Sequence, residues 1–355
     1  MTRRTIGTAQ IITGTAAGVA LLHFLASILI PFVIAFVLAV LVNALVRFIK
    51  NRWAAAPSWA VSLLAGLVVI ACASIGIFVM AQGTAQMVSQ GPALLSRLDE
   101  IAVGLGQSLH LREPLHLDAV VGKISVPQVA GFILSGMQGL FSGLLLMVVY
   151  FGFMLAGRER ISRKMERVAG SSARATTIRD ISQHIAEDIE TYVWVQTITG
   201  TILTVSAVLV MLIVGLNNVL FWAVIFFLLT FIPNIGVTVG SIAPSLFALI
   251  QFPTVWQAIT IFVVIQIVAT FVGNFIYPRL QAQTQNIDPV ATLLSLAFWS
   301  WLWGLPGAFL AVPLTLMSMM VFAQFQSTRW VAAMLSNDGK PMFRKASASD
   351  PAKTD

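Results

Sequence analysis

The chain has 355 residues, of which 58% are hydrophobic and only 10% charged, with a formal net charge of +7. A soluble domain is about a quarter charged, so this composition excludes a water-soluble globular fold. The single cysteine, Cys72, excludes an intramolecular disulfide framework and a multi-thiolate metal site. The basic residues stand in short clusters between apolar runs and in the tail, which is a membrane-topology pattern and not a nucleic-acid footprint.

Several stretches approach the roughly 20 apolar residues that a helix needs to cross hydrocarbon. Lipid permits only helices or closed barrels, because every backbone group must be satisfied internally. The apolar runs are continuous and do not alternate, so the expected fold class is an all-α polytopic membrane protein.

In chain order, residues 11–29 and 32–46 are apolar and meet at Pro31, with Arg3 and Arg4 before them and Arg47, Lys50 and Arg52 after. Arginines on the inside predict a pair of helices that goes out and returns. The apolar run continues through Pro31 without a small-residue cleavage site, which argues against a signal peptide. A third helix over 59–81 completes an N-terminal membrane region, 1–82.

In 83–127 the basic residues Arg97, Arg112 and Lys123 are outnumbered by Asp99, Glu100, Glu113 and Asp118, which suits the outside. Leu94, Leu98, Ile101, Leu105 and Leu109 recur there at spacings of three and four and predict an amphipathic extracytoplasmic helix. A fourth span in 128–157 leads back to Arg158, Arg160, Arg163, Lys164, Arg167, Arg174 and Arg179, the densest positive region and so a cytoplasmic one. The segment 158–191 carries Ile178, Ile181, Ile185 and Ile189 at heptad-like spacing and reads as a cytoplasmic amphipathic helix.

The region 192–326 is the expected transport core. Between Glu190 and Arg279 there is no Asp, Glu, Lys, Arg or His. Residues 192–214 make a fifth span and 254–276 a sixth. Between them, 219–232 and 237–250 are separated by Pro233, Asn234 and Gly236, and 289–303 and 308–325 are separated by Gly304, Pro306 and Gly307. At about 1.5 Å per residue a 14-residue arm is roughly 21 Å long, short of the roughly 30 Å core. The prediction is six full spans and two re-entrant broken-helix hairpins entering from opposite sides, as in many secondary transporters. Parity then places both termini in the cytoplasm, with Arg279 inside and a disordered cytoplasmic tail over 327–355.

The candidate substrate-binding groups are Gln196, Asn234, Gln266, Asn274 and Asp288; Gln257 and several Ser and Thr residues lie in the same region. The candidate hairpin and gating residues are Pro233, Gly236, Gly240, Pro278, Pro289, Gly304, Pro306, Gly307 and Pro313. Amides, hydroxyls and freed backbone groups suit a small neutral polar solute. Asp288 has two readings: an ion ligand near the pathway, or an N-cap with Pro289 at the first helical position. The histidines His23, His110, His116 and His184 are scattered, and no HExxH, P-loop or nucleophile elbow occurs. Neither an enzyme nor a cofactor is expected. Trp299, Trp301 and Trp303 read as packing or interface residues.

The run Phe231-Ile-Pro-Asn-Ile-Gly236, Gly240, Pro244, Gly273-Asn274, Pro278, Pro289 and Gly304-Leu-Pro-Gly307 through Pro313 resembles the autoinducer-2 exporter family. The resemblance is strongest over 196–315. It implies a multi-span transporter of the bacterial inner membrane, with a small-molecule substrate, contact with membrane lipid and no nucleic acid. It also implies homo-oligomers, pentamers in particular. Named members export the quorum-sensing signal autoinducer-2, a small neutral furanone, while others are assigned sodium/proton antiport. Asn234 stands where members often carry an aromatic residue, and Val237 where a proline is common. A sodium/proton antiporter and a non-transporting membrane scaffold are the alternatives.

Overall fold

The computed structural model describes residues 3–52, 58–90, 96–97, 99–101, 103, 143–154, 157, 172–233, 235–281 and 287–339. The elements are α1 (Arg3–Phe24), α2 (Ala26–Arg52), α3 (Ser58–Ser89), α4 (Gly143–Met154), α5 (Ser172–Val214), α6 (Val219–Thr230), α7 (Gly236–Gln251), α8 (Trp256–Phe271), a π-helical turn (Val272–Ile276), α9 (Tyr277–Gln281), α10 (Pro289–Gln324) and α11 (Arg329–Leu335). No strand occurs among the described residues. Asn234, most of 83–127, the basic run 158–171 and residues 340–355 lie outside them.

Five described segments are long and apolar enough to cross a membrane: Ala26–Arg47, Leu63–Met87, Ala186–Val214, Trp256–Leu280 and Pro289–Gln324. The first four coincide with spans read from the sequence. Of the other two expected spans, the described residues contain the shorter apolar helices Thr13–Phe24 and Gly143–Met154.

The chain divides into two compact units. One draws on Met1–Arg52, Val149–Val195 and Leu280–Asp355, the other on Trp53–Val148 and Gln196–Arg279. The core expected over 192–326 is therefore shared between them, with one broken pair of helices in each. Helix α5 gives its first half to one unit and its second half to the other.

In the second unit, Leu203, Ala207, Val210 and Met211 of α5 pack with Phe221, Trp222 and Phe226 of α6, Phe247 and Ala248 of α7, and Ile261 and Ile265 of α8. Lipid tails are as apolar as leucine, so close packing, not expulsion from water, has to hold such helices together. Small residues supply the close approach. A Cβ on Gly83 of α3 would lie 2.4 Å from the Phe221 ring, and one on Gly200 of α5 would lie 2.5 Å from Thr230 Oγ1.

In the first unit, the sequence places the break between the first two helices at Pro31, but the chain turns at Leu25 and carries Pro31 inside α2. The turn is a single residue. The i→i−4 bonds Leu25 N to Leu21 O (2.9 Å) and Leu29 N to Leu25 O (2.8 Å) persist on either side of it. Pro31 costs α2 only one ladder bond so near its start, which is why the helix tolerates it. Arg47, at the far end of α2, forms an ion pair with Glu190 of α5.

The tail read as disordered from 327 begins instead with α11, where Ala332 is buried. Asp288 N donates to Leu335 O at 3.0 Å, so the start of α10 satisfies a carbonyl that the end of α11 leaves open.

Candidate functional site

Two helix pairs fold back on themselves, each around a proline and a glycine. The first is α6–α7. Pro233 has no N–H to give Leu229 O, and α6 ends in 3₁₀-type bonds from Phe231 N to Leu228 O (3.2 Å) and Ile232 N to Leu229 O (2.9 Å). The returning helix starts at Gly236, where a Cβ would lie 1.7 Å from Leu229 O. Only a glycine lets the backbone pass so close. One turn on, a Cβ on Gly240 would meet the Phe226 ring at 2.8 Å.

Trp222 and Phe247, 25 residues apart in sequence, bring their rings to 5.4 Å. At the open end Gln251 Oε1 accepts from Asn217 N (2.8 Å) and Gln251 Nε2 donates to Gly215 O (3.0 Å), so the pair ends beside where it began. Its arms have 12 and 16 residues, about 18 and 24 Å of rise. Both are short of the roughly 30 Å hydrocarbon core.

The second pair lies within α10. Gly304, with φ 64° and ψ −141°, interrupts the helix in a region that only glycine visits freely. Trp299 Nε1 donates to Thr315 Oγ1 at 3.3 Å. In a straight helix those residues would stand about 24 Å apart along the axis, so the arms 289–303 and 305–324 lie side by side. Gly307 performs the role of Gly236: a Cβ there would lie 1.9 Å from Trp299 O. Trp299 and Trp303 are buried against each other within this pair, while Trp301 faces outward. Pro306 is exposed at the break and Pro313 is buried in the second arm.

The candidate polar groups have distinct placements. Gln196 of α5 donates its amide N–H to Thr230 O, the last carbonyl of α6. That ties it to the tip of the first pair. Gln266 of α8 is half-buried, and its amide has no hydrogen-bond partner among the described residues. Asn274 is exposed in the π-helical turn and donates to Thr270 O at 2.8 Å, just ahead of Pro278. Such turns are frequent at functional positions. Gln257 is engaged locally, accepting from Thr254 Oγ1 at 2.7 Å.

Asp288 belongs to the other unit and has the geometry of an N-cap. Its Oδ1 accepts from Val290 N at 2.8 Å and Ala291 N at 3.2 Å, and Pro289 occupies the first helical turn. The cap reading of the Asp-Pro pair is thus the one the backbone displays.

Sequence reasoning missed several groups. Thr230 and Gly200 matter through contacts distant in sequence. Thr204 Oγ1, Asn218 Nδ2 and Trp222 Nε1 are buried without a partner among the described residues. Asn218 also takes a left-handed conformation at the start of α6 (φ 58°). His23 was the histidine to notice: its Nδ1 lies 3.1 Å from Leu302 O, the carbonyl that Pro306 cannot serve. A proline four residues after a carbonyl was the available signal.

A groove of about 260 Å³ between α7 and α8 is lined by Ile242, Leu246, Leu249, Val255, Ile259 and Phe262. Its hydroxyl, from Ser245, is spent on Ser241 O. It offers nothing to a polar solute.

The family profile described as AI-2E family transporter matches residues 12–326. The chain is 26% identical over 331 residues to the AI-2 transport protein TqsA of Escherichia coli (strain K12), covering 90% of this chain and 92% of that protein. It is 26% identical over 307 residues to YhhT of the same strain, covering 83% and 84% of the two chains. It is also 26% identical over 328 residues to a relative from Haemophilus influenzae, covering 88% and 91%.

Proposed function

The chain belongs to the AI-2E family of transporters, and from that membership we propose that it exports a small neutral polar solute such as autoinducer-2 by alternating access. The observation that carries the reading is the pair of folded-back helices, each broken by proline and glycine within a chain of apolar spans. In this reading both pairs are re-entrant and six helices cross the membrane fully. Irregular backbone at membrane depth is tolerated only where protein buries it or it lines an aqueous cavity. The tips marked by Pro233 and Gly236, and by Gly304, Pro306 and Gly307, are then where a polar solute meets the transport path.

Asn234, Gln266 and Asn274 supply uncharged partners, and Gln196 supports the first tip. Asp288 acts through its cap on α10. The absence of Asp, Glu, Lys, Arg and His between Glu190 and Arg279 favours an uncharged cargo. The named TqsA, described as an AI-2 transport protein, supports the same substrate. The distribution of Arg and Lys supports a bacterial inner membrane placement with both termini cytoplasmic, and the protein works as a homo-oligomer.

The test is uptake of labelled autoinducer-2 into liposomes holding the purified protein. Saturable flux that Gly236→Ala and Gly307→Ala each reduce at least about tenfold, against an unchanged Gly76→Ala, supports the reading; Gly76 has open space around it. The tenfold mark corresponds to about 1.4 kcal/mol. Flux no greater than that of empty liposomes sinks this substrate.

A further inference from the structure

We propose that His23 is a positioning residue for the tip of the second helix pair, as Gln196 is for the first. This rests on the transport reading for its consequence, though not for its geometry. At each break a backbone carbonyl meets a side-chain nitrogen from a helix outside the pair. Gln196 of α5 serves Thr230 O. His23 of α1 lies 3.1 Å from Leu302 O. The position four residues beyond Leu302 is Pro306, which has no N–H.

A carbonyl can only accept, so Nδ1 of His23 carries the proton in this contact. The imidazole is therefore a donor here, in a specific tautomer, and not a metal ligand through that nitrogen.

A second bond runs the opposite way. Trp303, the residue next to Leu302, donates its indole N–H to Leu22 O at 2.9 Å. Leu22 lies in the last turn of α1, where carbonyls lose their helical donors as the chain turns at Leu25. Each broken helix thus satisfies the other: His23 completes the break in α10, and Trp303 completes the break after α1. The two bonds come from adjacent residues on both sides, so they form a two-point clamp that fixes direction as well as distance. In hydrocarbon no water replaces a lost partner, and both breaks must reopen together. A tip that moves during transport has to unmake this clamp or carry α1 with it.

The clamp is tested by thiol labelling, which needs no substrate. In a Cys72→Ser background, Ala308→Cys places a probe at a buried position (7% exposed) just past the break, and Ser241→Cys is a buried control (0%) in the first pair. Whole protein in liposomes is labelled with the permeant N-ethylmaleimide. His23→Leu removes the donor, whereas His23→Asn keeps an N–H close to the position of Nδ1. Labelling of Ala308→Cys is expected to rise on the order of tenfold with His23→Leu, the population change expected when a buried carbonyl loses its partner. With His23→Asn it stays within about twofold, and Ser241→Cys does not change with either.

Autoinducer-2 flux follows the same pattern, lost with His23→Leu and kept with His23→Asn. An unchanged Ala308→Cys rate in His23→Leu overturns the proposal, as does an equal rise at both probes, which would mean general loosening. The expected labelling pattern without flux in the wild type leaves the clamp standing and removes the transport reading instead.

Discussion

Replacing Gly307 by alanine is the sharpest steric test of the folded-back geometry. The added Cβ would sit 1.9 Å from Trp299 O, 2.6 Å from Trp299 C and 3.0 Å from Trp303 Cβ. Two of those three atoms are backbone, so no side-chain rotation relieves the contact. An ordinary carbon–oxygen contact is about 3.3 Å, so the arms of α10 must part by about 1.4 Å at this point, against 1.9 Å as they stand.

Overpacking of this kind costs about 1–3 kcal/mol, and the backbone origin of the clash places Gly307→Ala at the upper end. Gly76, inside α3, has nothing within 4 Å of its ideal Cβ. Gly76→Ala therefore stabilises by about 0.5–1 kcal/mol through helix propensity alone. The two variants make the same chemical change with opposite sign. Thermal unfolding in detergent micelles, followed by circular dichroism, orders them: Gly307→Ala below wild type, Gly76→Ala at or above it. A Gly307→Ala protein that melts with the wild type would refute the close approach, and with it the folding back of α10.

Two further outcomes follow from the hydrogen bonds. Asp288→Ala removes the cap on α10 and lowers stability by about 1 kcal/mol, while Asp288→Asn, also a good cap, costs much less; unfolding measurements separate them, and the antiporter alternative built on this carboxylate requires Asp288→Asn to abolish sodium-dependent proton flux. Gln196→Leu strips the donor from Thr230 O and costs about 1–3 kcal/mol, whereas Gln196→Glu, whose ionised carboxylate only accepts, is expected to fare no better in the same assay.

The class of fold was legible because it follows from bulk properties. Long uncharged apolar runs have one stable outcome in lipid, and Pro233 with Gly236 and Gly304 with Gly307 announce breaks whatever surrounds them. Asp288 followed by Pro289 likewise carries its capping role locally. Other positions were less legible. The turn after α1 falls at Leu25 and not at Pro31, since a proline in the first turns of a helix removes little. The start of the tail is helical because Asp288 N reaches Leu335 O, a contact between residues 47 apart in sequence. The amide of Gln196 reads from sequence as a solute ligand, but its N–H is taken by Thr230 O. His23 reads from sequence as a scattered histidine because its partner lies 279 residues away.

Composition and local pattern by themselves determined a helical membrane chain, its broken helices and its uncharged second half, since these depend on residue type and on neighbours within a turn or two. Which freed carbonyl meets which side chain was decided only by the tertiary structure. A proline says that Leu302 O must find another donor, and only the packing of α1 against α10 says that the donor is His23.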